Sequence, residues 1–149
     1  MRWILAMAMC FGMGASAEEA QDVDLAELIQ PSGEHQLDEY LWVKRPIVVF
    51  SDSPADPRYV RQMQFLTERL DELAERDVVV LTDTDPTVLS PLREKLRPRG
   101  FMMVLIGKDG GIKLRKPLPF DVREISRTID KMPMRQQEVR DRRAEREGS

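Results

Sequence analysis

Three runs of consecutive apolar residues and one alternating run stand out from a strongly charged chain. Residues 47–50 (Ile-Val-Val-Phe) and 78–82 (Val-Val-Val-Leu-Thr) are short and rich in β-branched side chains, which predicts strands buried on both faces of a sheet. Residues 101–106 and 112–115 are strand-like and flank Lys108-Asp109-Gly110-Gly111. Asp-Gly in that position predicts an antiparallel hairpin. The chain is therefore expected to form a sheet of about four strands.

Helical periodicity fills the segments between these runs. Asp56-Pro57 is a typical helix start, and the following apolar residues recur at steps of three and four as far as about Arg76: Tyr59, Met63, Leu66, Leu70 and Leu73. A shorter helix is predicted over 90–97. A last one begins at Asp121, with Glu124 completing a capping box. Strand, helix, strand at this spacing predicts a parallel βαβ unit with a right-handed crossover.

The first seventeen residues have the order of a secretory signal peptide. Met1-Arg2 is the charged start, residues 3–13 are apolar, and Ala15-Ser16-Ala17 is a small-residue cleavage site. The apolar run is shorter than the roughly 20 residues that span a bilayer. We expect cleavage near Ala17, a periplasmic or secreted location, and no membrane span in the mature chain.

The remaining chain divides into three parts. Residues 18–36 form an acidic N-terminal segment, in which Leu25, Leu28 and Ile29 predict a small helix. Residues 37–133 form the folded domain. Residues 134–149 form a charged C-terminal tail that we expect to be solvated, either as a helical extension or as a disordered segment.

Composition excludes several kinds of chemistry. The only cysteine is Cys10, inside the predicted signal peptide, so the mature chain would offer no thiol for catalysis, disulfides or metal binding. The net charge of −3 gives no overall basic field for nucleic acid. His35, the only histidine, lies in a polar stretch and is expected in an exposed loop. No cofactor is expected.

The order βα, βα, ββα is that of the thioredoxin core, and several segments make a more specific match. Residues 41–45, 56–58, 107–115 and 132–135 resemble a bacterial thioredoxin-like domain of unknown function associated with the DUDES group. The resemblance spans about residues 37–140. It implies an α/β, thioredoxin-like three-layer sandwich, with a mixed sheet of about four strands flanked by helices. It also implies export, and it implies no established activity.

The chain departs from thioredoxins at the redox site. Ala55-Asp56-Pro57-Arg58 holds the place where the resemblance would put CxxC, and Met102 holds the place of the cis-proline. Thiol oxidoreductase and peroxiredoxin activities are therefore not expected. Whether the chain catalyses any other reaction stays open, although the sequence favours none.

The loops after the first two buried strands contain the candidate site. Open α/β sheets bind ligands at the carboxyl ends of their strands, and these loops supply the candidate ligand-binding residues Ser51, Asp52, Asp56, Arg58, Asp83 and Asp85. Carboxylates there could hold a hard cation, and Arg58 could hold a polar ligand. The alternative is that these residues only form turns and helix caps.

We interpret the chain as a module that binds an envelope protein or peptide. The alternative is an oxygen-ligand cation site, or a small-molecule site or enzyme, at the same loops. Trp42 precedes a core strand and is expected to be buried, with an interaction surface as the other possibility. The methionines are expected mostly in the core. The sequence does not predict an oligomeric state.

Overall fold

The computed structural model describes residues 25–149, so the predicted signal peptide and Cys10 lie outside the described residues. Five strands form one sheet: β1 (Ile29–Pro31), β2 (Arg45–Phe50), β3 (Val78–Asp83), β4 (Met102–Ile106) and β5 (Ile112–Lys116). Five α-helices flank it: α1 (Pro57–Thr67), α2 (Leu70–Glu75), α3 (Pro91–Leu96), α4 (Val122–Asp130) and α5 (Pro133–Glu147). Short 3₁₀ helices cover Leu25–Leu28 and Leu37–Tyr40.

The sheet is mixed, with the strand order β1-β3-β2-β4-β5. β1, β3 and β2 run parallel, β4 runs antiparallel to β2, and β5 returns antiparallel to β4. This arrangement confirms the predicted α/β thioredoxin-like fold, the βαβ unit and the hairpin.

The sheet has five strands, one more than the approximately four that the sequence predicts. The apolar cluster assigned to a small helix divides in the structure: a single 3₁₀ turn covers Leu25–Leu28, and β1 then pairs with β3 through Ile29 and Val80. Three residues that end in a proline carry too little alternation to predict a strand. Parallel pairing with an apolar neighbour decides their conformation.

The two faces of the sheet bury separate hydrophobic layers because alternate residues of a strand point to opposite sides. Ile47 and Val49 of β2 face a cluster that includes Leu66, Leu73 and Ile125 from α1, α2 and α4. The opposite layer is smaller and contains Val48, Phe50, Leu81, Leu92 and Leu96. The sheet therefore lies between two helical layers, as the predicted sandwich requires.

The helix predicted from Asp56 to about Arg76 is interrupted. The Thr67 hydroxyl donates to the carbonyl oxygen of Met63 at 2.8 Å and to that of Gln64 at 3.2 Å, and Arg69 then leaves helical geometry with φ −138°. The apolar spacing continues across the break, since Leu66 and Leu73 are both fully buried. Periodicity alone could not reveal the interruption.

The C-terminal segment is helical, which confirms one of the two predicted alternatives, but it is not wholly solvated. α5 contributes Arg135, which is buried, and Glu138, whose side chain is 18% exposed. Glu138 accepts from Arg45 Nη2 at 2.9 Å and from Lys108 Nζ at 2.8 Å. Burial pushes the pKa of Glu138 upward, but the hydrogen bonds from the two cations outweigh it and hold the pKa below its ordinary value. These ion pairs fasten α5 to the sheet.

β5 forms one edge of the sheet and has a different character from the central strands. Lys113 and Arg115 are exposed, and Lys116 is half-buried.

None of the helices in the described part of the chain has the length and apolar character required to cross a lipid bilayer.

Candidate functional site

The loops after β2 and β3 meet at one edge of the sheet because the two strands end level. Phe50 pairs with Asp83 in the parallel register, and the Ser51 backbone N–H donates to the Asp83 carbonyl oxygen at 2.9 Å. The predicted convergence of the two loops therefore exists in the structure. The candidate side chains then separate into two groups, one around Asp83 and one around Arg58.

Asp83 forms a buried ion pair with Arg93. Its Oδ1 accepts from Arg93 Nη2 at 2.9 Å and from Arg93 Nε at 3.2 Å. Its Oδ2 accepts from the Ser90 hydroxyl at 2.6 Å and, more weakly, from the Ser32 hydroxyl at 3.3 Å. Burial raises the pKa of Asp83, but the bonds from Arg93 and Ser90 outweigh it, so the pKa is lowered overall. Asp83 is therefore an ionised carboxylate with filled acceptor positions.

Arg93 is the residue of this edge that the sequence did not indicate. It lies in the first turn of α3, where Ser90 caps the helix by accepting from the Arg93 backbone N–H at 3.1 Å. Its Nη2 also donates to the Ser51 carbonyl oxygen at 3.1 Å, and its guanidinium lies over the Phe50 ring. One side chain thus joins the ends of β2 and β3 to α3.

The second group surrounds Arg58 at the start of α1. Asp56 caps the helix by accepting from the Arg58 backbone N–H at 2.9 Å, and it also accepts from Arg58 Nη2 at 2.9 Å. These side-chain and backbone bonds lower the pKa of Asp56. The pKa of Arg58 is raised chiefly by the bond to Asp56, and the negative charge of exposed Asp52 adds to it. The Arg58 guanidinium also lies over the Phe101 ring.

The other candidates make local turns. Asp85 accepts from the Thr87 hydroxyl at 2.6 Å and from the Thr87 backbone N–H at 3.0 Å, and these bonds lower the pKa of Asp85. The Ser51 hydroxyl donates to the Ser53 carbonyl oxygen at 2.6 Å. Within residues 25–149, no three His, Cys, Asp or Glu side chains are grouped so that they could hold a metal ion.

An open groove of about 300 Å³ remains beside these loops. Its walls come from residues 31–34 and 82–85, together with Val88 and Ser90. Val88 and Leu89 on this side are 58% and 67% exposed. The groove can accommodate a ligand, but the Asp83 carboxylate beneath it is already engaged by Arg93 and Ser90.

Trp42 lies at the other end of β2, and the prediction that it is buried was wrong. Its side chain is 65% exposed, and that of Val43 is 59% exposed. The Trp42 backbone has φ 64°, and its N–H donates to the Lys108 carbonyl oxygen at 2.8 Å. This left-handed conformation is costly for a bulky residue.

His35 is half-buried, and its Nδ1 atom lies 2.9 Å from Glu39 Oε2.

Comparisons with known proteins place the fold. A model of the family described as Domain of unknown function (DUF4174) matches residues 36–138. The structure resembles that of Plasmodium yoelii Prx1a modified at the N-terminus, with a TM-score of 0.54 and 19% identity over 70% of this chain and 82% of the other. It also resembles Plasmodium yoelii thioredoxin peroxidase I, with a TM-score of 0.52 and 18% identity over 68% of this chain and 79% of the other. Among curated protein sequences, no match to this chain is found. At these identities the likeness concerns the fold alone.

Proposed function

This chain belongs to the DUF4174 family, and for this member we propose an exported module that binds another protein of the cell envelope and performs no thiol chemistry. We also propose that the chain is related to the DUDES group, which its sequence resembles. The observation that carries it is the Trp42–Val43 patch, defined as these two exposed residues before β2.

The proposed lack of thiol chemistry is supported by the residues at the start of α1. The sequence has one cysteine, Cys10, far from this helix in the chain. Asp56 caps α1, Arg58 lies in its first turn, and the two side chains bind each other. Insulin-reduction and peroxide-consumption assays on the wild-type chain should match both buffer and the Cys10→Ser chain, and turnover by the wild type that Cys10→Ser abolishes would contradict this part of the proposal.

The Trp42–Val43 patch has the properties of a binding anchor. Tryptophan is enriched among the residues that dominate binding energy at protein interfaces. Here the fold exposes a tryptophan and holds its backbone in a conformation that costs roughly 1–2 kcal/mol. Strain of this kind is often stored at functional positions. The hydrogen bond from the Trp42 N–H to Lys108 keeps the backbone in place.

The charge beside the patch indicates which partner would fit. Lys44 follows Val43 directly and makes no ion pair within residues 25–149. A partner segment with an apolar or aromatic side chain next to a carboxylate would complement both features. We therefore propose an envelope protein with such an acidic, apolar segment as the occupant.

The strand-end loops remain the competing location for a small molecule or a cation. The residues concerned are Ser51, Asp52, Asp56, Arg58, Asp83 and Asp85, of which Asp83 and Asp85 line the open groove of about 300 Å³. The hydrogen bonds that these side chains already make weaken the case for a ligand site, because a ligand would have to replace them. A rise in melting temperature with calcium or magnesium that Asp83→Asn abolishes would favour it.

The deciding experiment compares capture of envelope proteins by the wild-type chain and by Trp42→Gly. Glycine relieves the positive φ, so Trp42→Gly should be at least as stable as the wild type, by up to about 1 kcal/mol in urea unfolding. It should nevertheless lose the captured partner. The matched control Leu89→Ser removes an equally exposed apolar side chain on the strand-end side and should retain it.

Two results would contradict the proposal. If Trp42→Gly captured the same identified protein as the wild type, the patch would not be the binding surface. If Leu89→Ser alone lost the partner, binding would belong to the exposed apolar surface at Leu89 and not to the Trp42–Val43 patch.

A further inference from the structure

We infer that a cleft between α5 and the ends of α2 and α4 binds a small organic phosphate. This site goes beyond the proposed function, because it shares no residue with the Trp42–Val43 patch and takes a small ligand. The volume of the cleft is about 350 Å³, which is within the range of small-molecule sites. Its lining contains one carboxylate, Asp130, and four arginines: Arg76, Arg135, Arg140 and Arg143.

The α5 helix separates its charges by side, and the cleft opens on the basic side. At 3.6 residues per turn, all the arginines of α5 fall on one half of the helix surface, and three of its four carboxylates fall on the other half. The arginine half contains Arg135, Arg140, Arg142, Arg143 and Arg146, and the acidic half contains Glu138, Asp141 and Glu145. The positive charge of this helix is therefore gathered along one side.

The carboxylates near the cleft do not neutralise it. Asp130 accepts from Arg76 Nε at 2.9 Å and from Arg76 Nη2 at 3.0 Å, so one arginine balances its charge. Glu75 lies outside the cleft, 3.8 Å from Arg135 Nη2 and 4.0 Å from Arg76 Nη1. Glu138 lies 3.6 Å from Arg135 but is held by two other cations. The four arginines therefore exceed Asp130 and Glu75 by two charges, and an anion would relieve their mutual repulsion.

Arg140 and Arg143 are the residues that would contact the ligand. Both are exposed, and they lie three positions apart, so their side chains are neighbours on the helix surface. Arg143 makes no side-chain hydrogen bond or ion pair within residues 25–149, and Arg140 donates only to Gln137 Oε1 at 2.7 Å. The side chains of Arg76 and Arg135 are 15% and 4% exposed, so they contribute positive charge rather than contacts.

A phosphate group suits this pair of arginines. The guanidinium group donates two parallel hydrogen bonds to phosphate oxygens, and a phosphate monoester offers three oxygens and nearly two negative charges at pH 7. Two neighbouring guanidinium groups can therefore share one phosphate. Val139 also lines the cleft and is half-buried. Together with the aliphatic stems of the arginines, it offers an apolar contact to a short organic group.

The shape and the charge of the surroundings favour a soluble phosphate over a lipid bilayer. The arginines line a cleft rather than a broad face, and the other half of α5 is acidic. The whole chain has a net charge of −3. An anionic bilayer would attract this narrow basic strip and repel the surface beside it.

The test titrates propyl phosphate into the full chain labelled with ¹⁵N at pH 7. We expect progressive shifts of the backbone amide resonances of Val139, Arg140 and Arg143. Propane-1-sulfonate has the same organic group and three oxygens in the same arrangement, but it carries only one negative charge. It should bind at least about threefold more weakly than propyl phosphate.

The variant Arg143→Gln removes one unpaired guanidinium group from an exposed position, so the fold should be unaffected. The affinity for propyl phosphate should fall about fivefold or more, because a charged hydrogen-bond donor to the phosphate is lost. Arg123→Gln is the matched control. It removes an exposed arginine of α4 that makes no ion pair within the described residues, and it should bind propyl phosphate as the wild type does.

Four results would overturn the inference. Three concern the titration: no shift of the named resonances at millimolar propyl phosphate, equal binding of propane-1-sulfonate, or equal affinity in Arg143→Gln and Arg123→Gln. The fourth uses phosphatidylglycerol vesicles: if they retained the wild type and released Arg143→Gln, the arginines would bind a bilayer instead. The capture experiment with Trp42→Gly tests other residues, so either proposal can fail without the other.

Discussion

Replacing Asp83 by alanine should leave Arg93 charged and buried without its carboxylate partner. Both residues are less than a tenth exposed, and two hydrogen bonds join them at 2.9 and 3.2 Å. Removing one member of a buried ion pair typically costs about 3–5 kcal/mol. Arg93 Nη2 would keep the Ser51 carbonyl oxygen at 3.1 Å, so we expect the lower end, about 3 kcal/mol.

The measurement is urea unfolding of the wild type and of Asp83→Ala. With a slope of about 2 kcal/mol per molar urea, the midpoint should fall by about 1.5 M. The double variant Asp83→Ala with Arg93→Met removes both charges and should lose less stability than the sum of the single variants, by about 1 kcal/mol or more. Asp56→Ala is the matched control among the candidate aspartates. It breaks an ion pair whose arginine is 48% exposed on its side chain and should shift the midpoint less.

Two outcomes would refute the reasoning. A loss below about 1 kcal/mol for Asp83→Ala would mean that the pair does not hold β2, β3 and α3 together. Strict additivity in the double variant would mean that Asp83 and Arg93 do not act as a unit. Either would reopen Asp83 as a residue available to a ligand.

Two further predictions concern pH and backbone conformation. The fold lowers the pKa values of Asp83 and Glu138 below their ordinary values of 3.8 and 4.5. The two carboxylates therefore stabilise the fold fully above those values, and this stabilisation is lost as the pH falls through the folded-state pKa values. The urea midpoint should be steady above about pH 5 and fall below about pH 4; it should fall less steeply in Glu138→Gln, and an equal slope of midpoint against pH in that variant would exclude Glu138 as a contributor. Gly110→Ala should cost about 1–2 kcal/mol, because Gly110 has φ 81° and an added Cβ would lie 2.9 Å from Leu41 Cδ2. Gly111→Ala, at a position without a positive φ, should cost less in the same unfolding assay, and equal losses would show that the backbone angle is not the cause.

The elements that could be predicted from the sequence are those whose pattern is local. β2 and β3 are continuous apolar runs, the β4–β5 hairpin contains Asp-Gly, and α1 and α4 begin at capping aspartates. The break between α1 and α2 could not be predicted, because the apolar spacing continues across it and Leu66 and Leu73 are both fully buried. β1 depends on pairing with a strand about fifty residues later, and its own three residues do not specify that contact.

The candidate site shows the same limit. The sequence correctly predicted that the loops after β2 and β3 lie together, because the carboxyl ends of neighbouring parallel strands lie at the same edge of the sheet. It could not select Arg93 or Arg45 from 23 basic residues, because their burial depends on partners elsewhere in the chain. The exposure of Trp42 also escaped prediction, since apolar Leu41 and Val43 flank it and its left-handed backbone depends on the Lys108 carbonyl.

The character of β5 has a consequence for the behaviour of this protein in concentrated solution. An edge strand offers unpaired backbone groups to which another molecule can add, and such additions begin aggregation. Here that strand places Lys113, Arg115 and Lys116 along the edge, so two copies approaching edge to edge would bring like charges together. This repulsion hinders edge-to-edge aggregation of a sheet whose central strands are almost entirely apolar. Replacing these cations with neutral β-formers would remove that protection while leaving the hydrophobic layers intact.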